Sequence, residues 1–230
     1  MVGETGWRES LPETFGVVGV ARHNPGMPSR SRPATSQEAG SKQLHAFVDE
    51  SMRLTADNQG TYLLAAVVCD PAGCDPVREM LRSLRYRRQP RLHWHAEEDP
   101  RKAKIAESIG ALALPATVVI GMPLARTKQE RARAKCMEAL LPELEAQSVV
   151  RVWLESRTPS LVLRDMRLVD ALRSQRLITP GIRVDTALPS QEPMLWLPDA
   201  VAGAVAADRD GQPEYLALIG PVQQIEVSTL

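Results

Sequence analysis

Four acidic residues, Asp49, Glu155, Asp165 and Asp199, stand where the sequence around them carries a charge inward rather than out to solvent. Asp199 heads the segment Leu197-Pro198-Asp199-Ala200-Val201-Ala202-Gly203-Ala204-Val205-Ala206-Ala207. Read as a helix with Pro198 at its first position, the segment puts Asp199, Ala202, Gly203 and Ala206 on one face. A face this small lets a helix lie close against a sheet and takes the carboxylate with it. A buried carboxylate is costly unless a cation or donor meets it. Residues 44–51, Leu-His-Ala-Phe-Val-Asp-Glu-Ser, read as a strand with Phe47 and Asp49 on one face and Val48 and Glu50 on the other. Asp49 ends the apolar run, where a strand terminus opens toward a site; a strand-ending acidic turn is the plain alternative. Glu155 closes the strand VVRVWLE, on the face of Trp153 and Arg157. Asp165 falls on the helical stripe of Leu161, Leu168, Val169 and Leu172, whereas Asp170 falls off it. A salt bridge to Arg164, Arg167 or Arg157 would also account for Asp165.

Carboxylates spread over separate elements suit one chemistry in particular. Two divalent ions about 4 Å apart activate a water and stabilise the leaving oxygen of a phosphodiester. Mg²⁺ and Mn²⁺ prefer oxygen ligands. Asp49, Glu155, Asp165 and Asp199 supply four such ligands. His93 and His95 share a face if residues 91–95 form a strand, and His-x-His is also a zinc-ligand spacing. His23 and His45 are poorly placed to complete such a site. The stronger expectation is that one of the pair lines the same cleft and orients a phosphate or a water; the plain alternative is that both are ordinary, partly exposed strand residues.

The formal net charge is zero, so no global field draws the chain to nucleic acid or membrane. Anion binding must come from local patches. Arg82, Arg85, Arg87, Arg88 and Arg91 form one, and a nucleic-acid backbone is its expected partner. Arg126, Lys128, Arg131, Arg133 and Lys135 form another, expected to be a solvated helix face neutralised by Glu130 and Glu138. Aromatic residues make up only 4% of the chain, which argues against a stacking platform for single strands. The three cysteines show no zinc or redox spacing, and their odd number argues against a disulfide framework. No apolar stretch spans a bilayer and the N-terminus lacks signal-peptide character, so a cytoplasmic setting is expected. The sequence gives no firm oligomeric state.

The 230 residues fit one domain with additions. Residues 1–41 are expected to be a flexible tail, with Gly16 to Ala21 a short apolar island able to dock as an edge strand. Residues 42–230 carry the folded domain. Strands are expected over 44–51, 61–69, 91–95, 116–121, 149–155 and 182–186. Helices are expected over 75–85, 101–112, 127–146, 160–175 and 195–207. Strands first, then alternating helix and strand, define an α/β domain with a mixed sheet flanked by helices. The order is that of the ribonuclease H-like fold.

The segments HAFVDES (45–51), YLLAAVV (62–68), LHWH (92–95), VWLESR (152–157) with Asp165 beyond it, and MLWLPDAVAGAV (194–205) resemble an uncharacterised bacterial family with a ribonuclease H-like fold, whose members open with a strand ending in Asp-Glu-Ser. The resemblance covers about residues 44–208. It implies that Asp49 and Asp199 are metal ligands. Such enzymes commonly place a carboxylate near the end of the strand corresponding to ATVVIG, and here none stands there; Glu107 on the preceding helix is a fallback. The leading expectation is a nuclease or related phosphodiester-processing enzyme dependent on Mg²⁺ or Mn²⁺, with Asp49, Glu155, Asp165 and Asp199 at the metal and His93 assisting. The alternative is a non-catalytic scaffold of the same fold that binds nucleic acid or a protein partner. A zinc hydrolase built on His93 and His95 is a third reading.

Overall fold

The computed structural model describes residues 43–57, 59–86 and 89–230. The expected tail, with its apolar island, and Arg87 and Arg88 of the first basic patch lie outside the described residues. Two apolar runs separated by an Asp-containing turn form the opening hairpin. Strand β1 (Leu44–Arg53) pairs antiparallel with β2 (Gly60–Cys69), with Asp49 opposite Ala65. Helices α1 (Cys74–Leu84) and α2 (Asp99–Gly110) follow, and β3 (Ala116–Leu124) returns antiparallel to β2. Helix α3 (Gln129–Ala146) crosses to β4 (Val149–Glu155), which lies parallel to β1. Helix α4 (Pro159–Ser174) leads to β5 (Arg183–Ala187), parallel to β4. The chain closes with α5 (Trp196–Arg209), α6 (Glu214–Ile219) and β6 (Gln223–Ser228), the last parallel to β3.

The sheet order is β5-β4-β1-β2-β3-β6. Three antiparallel strands, with the next two added in parallel outside the first, give the α/β, ribonuclease H-like mixed sheet, and β6 extends its far edge. Alternation along β1 sorts the two cores. Phe47 packs with α1, α2 and α5 on one face, and Ala46 and Val48 pack with α3 and α4 on the other. Every residue of α5 from Trp196 to Ala207 is buried. That burial explains the small residues on all its sides, where an amphipathic helix would show a polar face. The helix starts two residues before Pro198, which sits in its first turn, where a missing N–H costs no intrahelical bond.

Residues 91–95 are not a third strand. Both edges of β2 are taken, by β1 and β3, and the far edge of β3 is taken by β6, so the segment joins none of the strands next to it in sequence. Instead His93 is extended and Trp94–Ala96 forms a single 3-10 turn. Helix α6 and strand β6 were not foreseen from the periodicity. The three cysteines are unpaired and buried. Among the described residues no helix is long and apolar enough to cross a membrane.

Candidate metal centre

The site forms where one ladder stops. Pairing between β1 and β4 runs through Phe47↔Trp153 and Val48↔Leu154. The next residue on each strand is an acid, Asp49 on β1 and Glu155 on β4. By alternation both carboxylates lie on the α5 face, as Phe47 and Trp153 do. Asp199, in the first turn of α5, reaches the same place from above the sheet. Asp49, Glu155, Asp199, His93 and His95 line one cavity of about 290 Å³, whose wall also includes Ser51 and Arg91. The strand carrying ATVVIG lies two places from β1, so its lack of a terminal carboxylate removes nothing from this cavity.

Asp49 is 8% exposed. Burial pushes its carboxyl well above the usual carboxylate range, and Glu155, Asp199 and Glu50 push the same way. The backbone N–H of Glu50 donates to Asp49 Oδ1 at 2.8 Å. Asp199 is better compensated. Its Oδ2 accepts the backbone N–H of Trp94 at 2.9 Å and lies 3.2 Å from His93 Nδ1. The bond to Asp199 raises the His93 pKa although partial burial opposes it. His95 Nε2 lies 3.3 Å from Ser51 Oγ, and burial lowers its pKa. The two imidazoles are 6.0 Å apart and inclined at 73°. The His-x-His pair is thus divided between separate partners. Glu155 has a cation at hand, with Arg91 Nη1 3.2 Å from its Oε1.

Asp165 is not brought to this cavity. It is buried on the other face of the sheet, against Arg133 of α3. Arg133 Nε donates to its two oxygens at 3.0 and 3.2 Å, and Nη2 donates to Oδ2 at 2.9 Å. Arg157 adds a contact at 3.4 Å. Arg133 also binds Glu50 and the Tyr62 hydroxyl, and Arg157 binds Glu130. Arg133 is only 2% exposed, so its assignment to a solvated basic face is corrected. The signal was present: Arg133 sits in helical register with Cys136, Met137, Leu140, Leu141 and Leu144, all buried on α3. Burial works against its charge, and Glu50, Tyr62 and Asp165 more than offset that. The fallback Glu107 is exposed on α2. Among the described residues of the first basic patch Arg82 pairs with Glu79, Arg85 lies 6.0 Å over the Trp196 ring, and only Arg91 reaches the cavity.

Hard oxygen donors from β1, β4 and α5 suit Mg²⁺ or Mn²⁺ rather than a soft metal. Among the described residues no three such side chains already enclose a point at ligating distance. Glu155 meets Arg91 and Asp199 meets Trp94 and His93, whereas Asp49 has no cation partner among the described residues. This set of oxygen donors would suit a divalent ion.

No family model matches the chain, and no curated protein matches it. Solved structures do. A ribonuclease HII from Archaeoglobus fulgidus, solved in complex with PCNA, is 16% identical over 77% of this chain and 79% of that one, at a TM-score of 0.42. Ribonuclease H2 from Pyrococcus horikoshii OT3 is 16% identical over 75% of each chain, also at 0.42. Bst-RNase HIII, in complex with Mn²⁺, is 13% identical over 80% of this chain and 60% of that one, at 0.43. Likenesses this distant carry no argument here, and the fold rests on the strand order above.

Proposed function

We propose that the chain is a divalent-metal-dependent nuclease, or a related enzyme that hydrolyses phosphodiesters. The observation that carries the reading is the convergence of Asp49, Glu155 and Asp199 from three elements on one cavity, with Asp49 uncompensated. These three carboxylates would hold Mg²⁺ or Mn²⁺. When bound, such an ion lowers the pKa of a water and stabilises a leaving oxygen. His93, held through Nδ1 by Asp199, keeps Nε2 for moving a proton at the cavity. Arg91 exchanges Glu155 for a substrate phosphate, and so charges the mouth for an anion. Nucleic acid is the proposed partner. Asp165 is proposed to serve structure, through Arg133.

A second reading, a scaffold of the same fold without catalysis, is favoured by the compensation of Glu155 by Arg91 and of Asp199 by Trp94 and His93. Calorimetric titration of Mn²⁺ into metal-stripped wild type, Asp49→Asn and Asp199→Asn separates the two. Binding by wild type that both substitutions abolish is the expected result. Absence of binding by wild type, both alone and with an oligonucleotide present, would leave the scaffold.

A further inference from the structure

We infer that Trp94 is a positioning residue, whose indole is seated in a notch at Gly203 so that its backbone N–H orients Asp199 for the cation. The inference rests on the metal reading above. Asp199 and Gly203 lie one turn apart on the same face of α5. The Trp94 indole fills the space that any side chain at position 203 would need. A Cβ placed on Gly203 would lie 2.1 Å from Trp94 Cδ1 and 2.4 Å from Nε1. On another side the ring of Tyr215 meets the indole edge to face, at 5.4 Å and 87°. Trp94 is thereby fixed at 3% exposure.

A side chain seated this firmly fixes its own backbone. The Trp94 N–H donates to Asp199 Oδ2 at 2.9 Å, and the neighbouring His93 Nδ1 addresses the same oxygen at 3.2 Å. Among the described residues Asp199 Oδ1 makes no hydrogen bond, so the clamp engages one oxygen and spares the other. A ligand carboxylate is commonly oriented in this way by an outer partner, and loss of such partners typically costs about 10–100-fold in metal affinity. The residues between α1 and α2 thus contribute to the site through a bond to its ligand, without supplying a carboxylate.

The test uses the full chain carrying Gly203→Ala, with Trp94→Phe as a second variant should the first fail to fold. Two quantities are read: the protection of the Trp94 amide against hydrogen exchange by NMR, and the Kd for Mn²⁺ by calorimetry. A variant with wild-type circular dichroism, Trp94 protection reduced at least about tenfold and a Kd raised about tenfold is expected. A folded variant that keeps the wild-type Kd overturns the inference and leaves the metal reading standing. A wild-type chain that binds no Mn²⁺ overturns the metal reading, and with it the role assigned to Trp94. Combining Gly203→Ala with Trp94→Phe should weaken binding little further, because both break one clamp; a fully additive loss in the double variant would count against a shared mechanism.

Discussion

Asp49 and Glu155 are the first residues beyond the last pair of the β1–β4 ladder, and both line one cavity, where burial and Glu155 hold the Asp49 carboxyl well above its usual range. The backbone sets them side by side, since adjacent parallel strands run about 4.8 Å apart. The pair is therefore a standing cost to the fold, which a ligand of opposite charge would relieve.

Asp49→Asn should accordingly stabilise the metal-free chain at neutral pH while abolishing Mn²⁺ binding. The sign follows from the raised carboxyl. Its folded pKa lies above the unfolded value, so its cost is absent below the unfolded pKa, near about 4, and grows as pH rises through the folded pKa. Thermal melts in chelator should show a gain of about 2–4 °C per kcal/mol relieved at pH 7, shrinking to nothing near about pH 4. An equal gain at both pH values would contradict the argument.

Arg133→Met should be among the most damaging single changes in the chain. It would leave a buried Asp165 and a half-buried Glu50 without their principal cation, at a cost of about 3–5 kcal/mol. Urea denaturation at pH 7 measures it. Asp165→Asn should lower stability by a smaller amount and leave the Kd for Mn²⁺ within about twofold of wild type; a larger loss of affinity would return Asp165 to the metal site.

Arg91→Ala should tighten Mn²⁺ binding. The guanidinium competes for Glu155 across 3.2 Å, and a partly exposed pair of this kind contributes about 0.2–1 kcal/mol. The gain in affinity is then at most about fivefold. The same variant should bind oligonucleotides more weakly, a trend that salt titration would read as a shallower slope.

His93 should titrate above its ordinary value in wild type and fall back toward about 6.5 in Asp199→Asn, as followed by NMR of the ring protons. Because its folded pKa is raised, the stability it contributes is complete below the unfolded pKa and is lost as pH rises through the folded one. The pH-dependent part of the destabilisation in Asp199→Asn should therefore be largest in mild acid and fade in mild alkali.

Much of this architecture was readable in the residues. VVRVWLE spans β4 without error, and period-2 alternation placed Asp49 opposite Glu50 across the sheet. The small face of α5 was legible too, but the object it accommodates was not. That object is the Trp94 indole, brought there by a segment with no periodicity of its own. LHWH alternates like a strand, yet only the complete sheet order shows that both sides of β2 and of β3 are occupied by other strands. Asp165 was correctly read as buried, while its main partner, Arg133, was obscured by the basic residues around it. A charge on an apolar stripe carries the same message whichever its sign, and the two stripes of α3 and α4 had to be read together.

Glu50 and Asp49, consecutive on β1, belong to opposite faces and to opposite electrostatic surroundings. A slip of β1 by one residue would exchange them, placing Asp49 toward Arg133 and the longer Glu50 against Glu155, and would turn Phe47 onto the wrong core. The two acids carry the same charge to either face, so it is the apolar residues of β1, Phe47 on one side and Ala46 and Val48 on the other, that fix which way the strand lies.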